Sequence, residues 1–246
     1  MICVGFKSDR GAIRKNNEDS CFVMPKEHIY MVADGVGGNN AGETASSMAV
    51  TTIAEYVKEK PIKKLKSQKD IYYYLNSCVE IANKKIRKCA IENPEHRGMA
   101  TTLVLCYIRE NMAYFANAGD SRAYLYRDKK LFQITEDHSY VNELVKKGAL
   151  TYEEAINHEN SNMITKALGA EATVNADLYQ MELKENDLIL LCTDGLYGSL
   201  EDGEISEAMD YESNMLHLSE ILINRANMHN SKDNVTAVCL KVEGGC

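Results

Sequence analysis

The 246-residue chain lacks any long hydrophobic run: the longest, Leu103–Ile108, falls far short of the ~20 residues that a helix needs to cross a bilayer. No membrane span is therefore read. The opening residues, Met1-Ile2-Cys3-Val4-Gly5, lack a basic segment followed by an apolar stretch, so no secretory signal is read and a cytoplasmic location is expected. Positive charge is also in deficit. Lys plus Arg number 28 against 36 Asp plus Glu, a net charge of -8, which disfavours partnership with nucleic acid or an anionic membrane. Among the eight cysteines there is no C-x-x-C, and the closest pair, Cys239 and Cys246, stands seven residues apart, which argues against thiolate metal sites. Cys21, Cys106, Cys192 and Cys239 lie in strand-like apolar runs and are expected to be reduced, behaving as small hydrophobes. Internal repeats and low-complexity segments are absent.

What is present is the composition of a globular protein, 45% hydrophobic and 26% charged, read as a single domain over 1–246. Short apolar or β-branched stretches predict strands at Ile2–Lys7, Ser20–Met24 and Ile29–Ala33. Ala45, Met48, Ala49, Ile53, Tyr56 and Val57 then recur at helical spacing, as do Ile71, Leu75, Cys78, Val79, Ala82, Ile86 and Cys89, with Ser67 or Asp70 as N-cap and Pro94 beyond the end. The lysines between Lys58 and Lys69 read either as a solvated linker between these helices or as a docking surface for acidic partners. From Thr102 to Ile134 four strands with tight connections suggest an antiparallel meander. Residues 138–147 look helical up to Gly148, and Thr151 with Glu154 has the form of a capping box that starts another short helix. Later strands are expected at Thr173–Met181, Asp187–Thr193 and Asn234–Val242, with helices near Glu204–Met209 and Asn214–Asn230. Helices in pairs and strands in runs give an α+β fold class.

Aspartates fall where apolar strands stop or start: Ala33-Asp34-Gly35, Gly119-Asp120-Ser121, Thr193-Asp194-Gly195 and Lys232-Asp233-Asn234. Singly, each also fits an ordinary turn. If the four carboxylates converge to ~5 Å, each pair repels by roughly 3 kcal/mol at an effective dielectric of ~20. Six such pairs would rival the ~5–15 kcal/mol that keeps a domain folded, so cations are the natural resolution. Oxygen ligands without His or Cys suit hard ions, favouring Mg²⁺ or Mn²⁺. Gly35, having no Cβ, lets its own carbonyl approach an ion closely.

The segments Ser8–Ser20, with Arg14, Glu18 and Asp19, and Val32-Ala33-Asp34-Gly35-Val36-Gly37-Gly38 begin a longer pattern. It continues through Ala41-Gly42-Glu43, Asn117-Ala118-Gly119-Asp120-Ser121-Arg122, Thr135-Glu136-Asp137-His138-Ser139, Leu190–Leu196 and Lys232-Asp233-Asn234-Val235-Thr236. In order and spacing these resemble the metal-dependent Ser/Thr protein phosphatases of type 2C, the PPM family, and its compact bacterial branch. The resemblance implies a four-layer α-β-β-α sandwich, two antiparallel sheets flanked by helices, with a metal cluster at one end. It implies that Asp34 bridges two Mn²⁺ or Mg²⁺ ions, that Asp194 and Asp233 complete the first, and that the Gly35 carbonyl serves the second. Glu18 and Asp19 would hold metal-bound waters, Asp120 with Asp194 would offer a third-ion site, and Arg14 would bind the substrate phosphate.

The expected reaction is hydrolysis of phosphoserine or phosphothreonine by in-line attack of a dimetal-bound hydroxide, without a phosphoenzyme. A thiolate mechanism is disfavoured because no C-x₅-R loop is present. Val36 and Asn39 stand where eukaryotic and many bacterial relatives carry a histidine, which leaves the general acid unidentified. His138 is read as a structural hydrogen-bonding residue. Ser139–Leu168 corresponds to the family's variable flap. The expected partners are phosphorylated proteins, including a cytosolic Ser/Thr kinase and its substrates, with the chain acting as a monomer. The same metal chemistry would serve a nucleotide or small phosphate ester, so the choice of substrate rests on the resemblance.

Overall fold

The computed structural model describes residues 1–38, 41–65, 67–156 and 158–244. Its strands are β1 (Ile2–Asp9), β2 (Asp19–Met24), β3 (Ile29–Val36), β4 (Ala100–Thr101), β5 (Leu103–Arg109), β6 (Met112–Ala118), β7 (Arg122–Arg127), β8 (Lys130–Gln133), β9 (Asp177–Glu182), β10 (Leu188–Cys192) and β11 (Val235–Val242). Its helices are α1 (Ala41–Glu59), α2 (Gln68–Glu92), α3 (Tyr140–Lys146), α4 (Tyr152–Ile156), α5 (Asp194–Tyr197), α6 (Asp202–Tyr211) and α7 (Met215–Met228).

Two antiparallel sheets result, one ordered β1-β11-β10-β7-β8 and the other β2-β3-β5-β6-β9 with β4 on β3. Alternation along each strand explains the four layers. In β10, Leu188, Leu190 and Cys192 face α6 and α7, while Ile189 and Leu191 meet Val32, Val104 and Phe115 of the opposite sheet. Met31 and Ala33 of β3 face the other way, onto Ala45, Ile53, Leu75 and Ile86 of α1 and α2. Because both faces of the central strands are buried, they read as continuous apolar runs. Ser67 is the N-cap of α2, accepting from the Asp70 amide at 3.1 Å. The Thr151–Glu154 capping box forms before α4, with the Glu154 amide 3.2 Å from the Thr151 hydroxyl and the Thr151 amide 2.7 Å from the Glu154 carboxylate. No helix is long and apolar enough to cross a membrane among the described residues.

The expected meander is corrected by the structure. β5 pairs with β6 and β7 with β8, but the two hairpins lie in different sheets, so Gly119-Asp120-Ser121 is a crossover between layers. β5, β6 and β7 are largely buried along their length, and a run of apolar residues followed by a tight connection cannot tell a hairpin from a change of sheet. Gly119 makes the crossover possible: its φ is +114°, and a Cβ there would lie 2.6 Å from the Thr102 side chain. The strand expected from Thr173 starts only at Asp177. Val174 and Ala176 are apolar because they pack against the α1–α2 core, without belonging to a ladder.

Candidate active site

Strand ends place the acids. Asp19 opens β2 directly opposite Asp34 near the end of β3, and Glu18 precedes it. Asp194 begins α5 immediately beyond β10, and Asp233 lies two residues before β11, the strand beside β10. Asp120 sits on the crossover. The six-stranded sheet thus contributes Asp19 and Asp34, the five-stranded sheet Asp194 and Asp233, and the link between them Asp120.

Their mutual influence shows the convergence. Burial raises Asp34 well above the usual carboxylate range, and Asp19, Asp194, Asp120 and Asp233 push it further. Burial likewise brings Asp19 to about 7, against hydrogen bonds from the Thr236 and Thr193 hydroxyls, both at 2.7 Å. Asp120 also reaches about 7, through burial first and then Asp194 and Asp137. Asp194 is raised by burial and by Asp233, partly offset by hydrogen bonding with Asp34. Burial is the main cause of the raised Glu18 as well, with Arg14 opposing it. Two buried carboxylate oxygens, Asp19 Oδ1 and Asp194 Oδ1, have no hydrogen-bond partner. An unsatisfied buried acceptor costs about 1–3 kcal/mol, more when charged, so these atoms call for a cation or a proton.

The backbone is shaped for close approach at the same place. A Cβ on Gly42 would lie 2.7 Å from the Gly35 carbonyl oxygen and 2.9 Å from the Glu18 carboxyl carbon. The bare Gly42 therefore leaves a cradle into which a backbone oxygen and a carboxylate project. Among the described residues, no three His, Cys, Asp or Glu side chains surround a single point as they stand. Hard cations do not require that arrangement, since Mg²⁺ usually keeps several waters and takes only one or two carboxylates. The donor set present, all oxygen with two orphaned carboxylate atoms, fits such ions.

Arg14 lies beside the cluster: Nη2 donates to Asp233 Oδ2 at 2.5 Å and Nε to the Lys232 carbonyl at 3.2 Å. Its side chain is 44% exposed, within reach of a ligand arriving from solvent. His138 is committed to the framework. Its Nδ1 accepts from the Gly119 amide at 3.0 Å and its Nε2 lies 3.0 Å from Asp177 Oδ2, tying β9 to the crossover. Val36 is exposed, and Asn39 lies outside the described residues.

Residue-by-residue reading misses several supports. Asn234 accepts from the Glu18 amide at 2.8 Å and donates to the Arg10 and Asn16 carbonyls, fastening the loop that carries Arg14. Thr102 accepts from the Asp34 amide at 2.9 Å, and its hydroxyl is 2.7 Å from that of Ser121. Tyr197 donates to the Asp120 carbonyl at 3.0 Å, while the Arg122 guanidinium stacks 3.6 Å from its ring and grips Asp137. Thr193, Asn234 and Thr236 lie within the matched segments, but nothing in their type or spacing announces these bonds.

Carboxylates gathered from two sheets, beside an arginine, define a site for hard cations and an anionic ligand at one end of a two-sheet α-β-β-α architecture. Comparison with known proteins gives the family. The family model described as protein phosphatase 2C matches residues 12–231. The serine/threonine phosphatase stp of Listeria innocua is 35% identical over 239 residues, covering 96% of this chain and 94% of that one. The crystal structure of the Mycobacterium tuberculosis serine/threonine phosphatase PstP/Ppp superposes with a TM-score of 0.90 at 34% identity, covering 99% of each chain. The catalytic domain of the serine threonine protein phosphatase PstP in complex with 2 manganese ions gives a TM-score of 0.87 at 33% identity, again over 99% of each chain. The chain belongs to the protein phosphatase 2C family, in its compact bacterial branch.

Proposed function

We propose that the chain acts as one catalytic unit that hydrolyses phosphoserine and phosphothreonine in proteins, using Mn²⁺ or Mg²⁺ held at the acid cluster. The observation that carries this reading is the set of buried, mutually raised carboxylates with orphaned oxygens on Asp19 and Asp194. Asp34, Asp194, Asp233 and the Gly35 carbonyl would hold the core pair of ions, Asp120 with Asp194 would offer a third position, and Glu18 and Asp19 would hold water beside them. Such a pair of cations makes water more acidic and screens the phosphate dianion from its nucleophile. The manganese in the PstP structure supports the choice of ion.

Arg14 binds the phosphate oxygens through its planar fork and orients the ester for in-line displacement. Asp233 and the Lys232 carbonyl hold that fork in place. Displacement by water in one step, without a phosphorylated side chain, fits the cysteines nearest the acids: burial raises Cys21 to about 11 and drives Cys192 higher still. Val36 has no proton to give and is exposed, so water supplies the proton to the leaving alkoxide. Residues 139–168, with α3 and α4, form a flap that influences substrate choice. A Ser/Thr kinase and its substrates as partners, a cytoplasmic location and a monomeric state complete the reading.

The test is turnover of phosphoserine and phosphothreonine peptides beside a nucleotide, with Mn²⁺ and with chelator. Metal-dependent turnover of the peptides in preference to the nucleotide is expected. Activity that survives chelation or Asp194→Ala would overturn the mechanism, and preference for the nucleotide would overturn the substrate.

A further inference from the structure

A cavity of about 400 Å³ lies away from the acids, between the C-terminal half of α2, the Pro94–Arg97 turn and residues 169–170. Its lining joins apolar surface from Ala90, Ile91, Pro94 and Met99 to two guanidinium groups, Arg87 and Arg97. Arg87 Nη1 donates to the Ala170 carbonyl at 2.9 Å, which fixes that side chain against the wall. Arg97 is exposed, and among the described residues its guanidinium has neither a hydrogen bond nor an ion pair. Ile91 is 72% exposed at the rim. The neighbouring acid Glu92 is paired with Lys88 at 3.8 Å, and Glu95 on the turn is the other acid close by in sequence. A protein of net charge -8 thus keeps an uncommitted cation over a partly apolar hollow.

The chain that lines the cavity runs directly on to the catalytic end. Gly98 and Met99 line it, and the next residues, Ala100 and Thr101, form β4 and pair with Val36 and Gly35. Thr101 Oγ1 donates to the Asp34 carbonyl at 2.9 Å, and Thr101 exchanges backbone hydrogen bonds with Leu168, beside the cavity residue Gly169. Extended backbone advances about 3.3 Å per residue and paired strands lie about 4.8 Å apart, so the hollow and Gly35 are separated by roughly 10–15 Å. An extended peptide spans that distance in about three to five residues.

We propose that this cavity docks a second phosphorylated residue of the substrate chain, about three to five positions from the phosphoryl group being hydrolysed. Arg97 closes on the phosphate, with Arg87 behind it, while Ile91 and Pro94 cover the adjoining apolar part of the peptide above the buried Met99. The proposal rests on the phosphoprotein reading of the acid cluster, and two measurements separate their failures.

The first is methyl NMR on the full chain with Ile91 and Met99 labelled, titrated in chelator with a peptide carrying one non-hydrolysable phosphonate. Shifts at both methyls that vanish in Arg97→Glu support the docking site. Shifts absent in the parent protein, or unchanged in Arg97→Glu, overturn it whether or not the chain is a phosphatase. The second is kcat/KM with Mn²⁺ for phosphoserine peptides with and without a phosphonate four residues away. An exposed charge pair contributes up to ~1 kcal/mol, so the parent protein should prefer the phosphonate peptide by about three- to fivefold. That ratio should fall to about one in Arg97→Glu and recover in part in Arg97→Lys. A ratio near one in the parent overturns the docking site. Absence of any metal-dependent turnover, with the NMR shifts intact, overturns the phosphatase reading and leaves the anion site standing.

Discussion

Replacing Asp120 by Asn should make the chelated protein more stable, and by an amount set by pH. In the folded chain, burial, Asp194 and Asp137 raise this carboxyl from 3.8 to about 7. The unfolded chain releases the proton near the ordinary value, so between these two pH values the folded state holds more proton and loses stability as pH rises. About three pH units at 1.36 kcal/mol each come to about 4 kcal/mol lost by pH 8, and about 2 kcal/mol by pH 5. Asn keeps the shape of the protonated acid and cannot ionise, so Asp120→Asn removes that loss. At 2–4 °C per kcal/mol for a chain of this length, Tm at pH 8 should rise by roughly 10 °C. Scanning calorimetry in EDTA at pH 8, 5 and 4 is the assay, with the gain halving at pH 5 and nearly gone at pH 4. An Asn variant no more stable than its parent at pH 8, or a gain independent of pH, would refute the electrostatic account of the cluster.

Other outcomes follow from the same geometry. Arg14→Ala should raise KM for phosphopeptides with a smaller fall in kcat, because the guanidinium meets phosphate in ground and transition states alike; steady-state kinetics would show the split. Gly42→Ala places a Cβ 2.7 Å from the Gly35 carbonyl oxygen and should weaken Mn²⁺ binding by tenfold or more while the protein remains folded, as calorimetric titration and circular dichroism would report together. His138→Ala removes the acceptor of the Gly119 amide and the contact to Asp177, and should cost about 1–3 kcal/mol in urea unfolding.

Much of this molecule could be read from the chain because its central strands are buried on both faces and its two long helices carry clear apolar stripes. The acids were legible for a physical reason, since Asp34, Asp120, Asp194 and Asp233 interrupt apolar strands where an uncompensated charge is expensive. Other features left no such trace. The four residues of α5 are too few to display a helical period, and a crossover at Gly119 resembles a hairpin in pattern alone. The pairing of Arg14 with Asp233 spans 219 positions, and the clasp of Asp19 by Thr193 and Thr236 spans 174 and 217. Contacts at such separations follow from tertiary packing, and no local periodicity encodes them.

The crossover at Gly119–Ser121 has a mechanical consequence. With Asp34 riding on one β-layer and Asp194 and Asp233 on the other, an ion held among them as proposed would work as a rivet through the laminate. Shear between the layers would then pull the rivet hole out of round. Trimming Phe115 or Leu191 at the inter-layer seam should therefore loosen ion affinity from a distance, with no ligand touched.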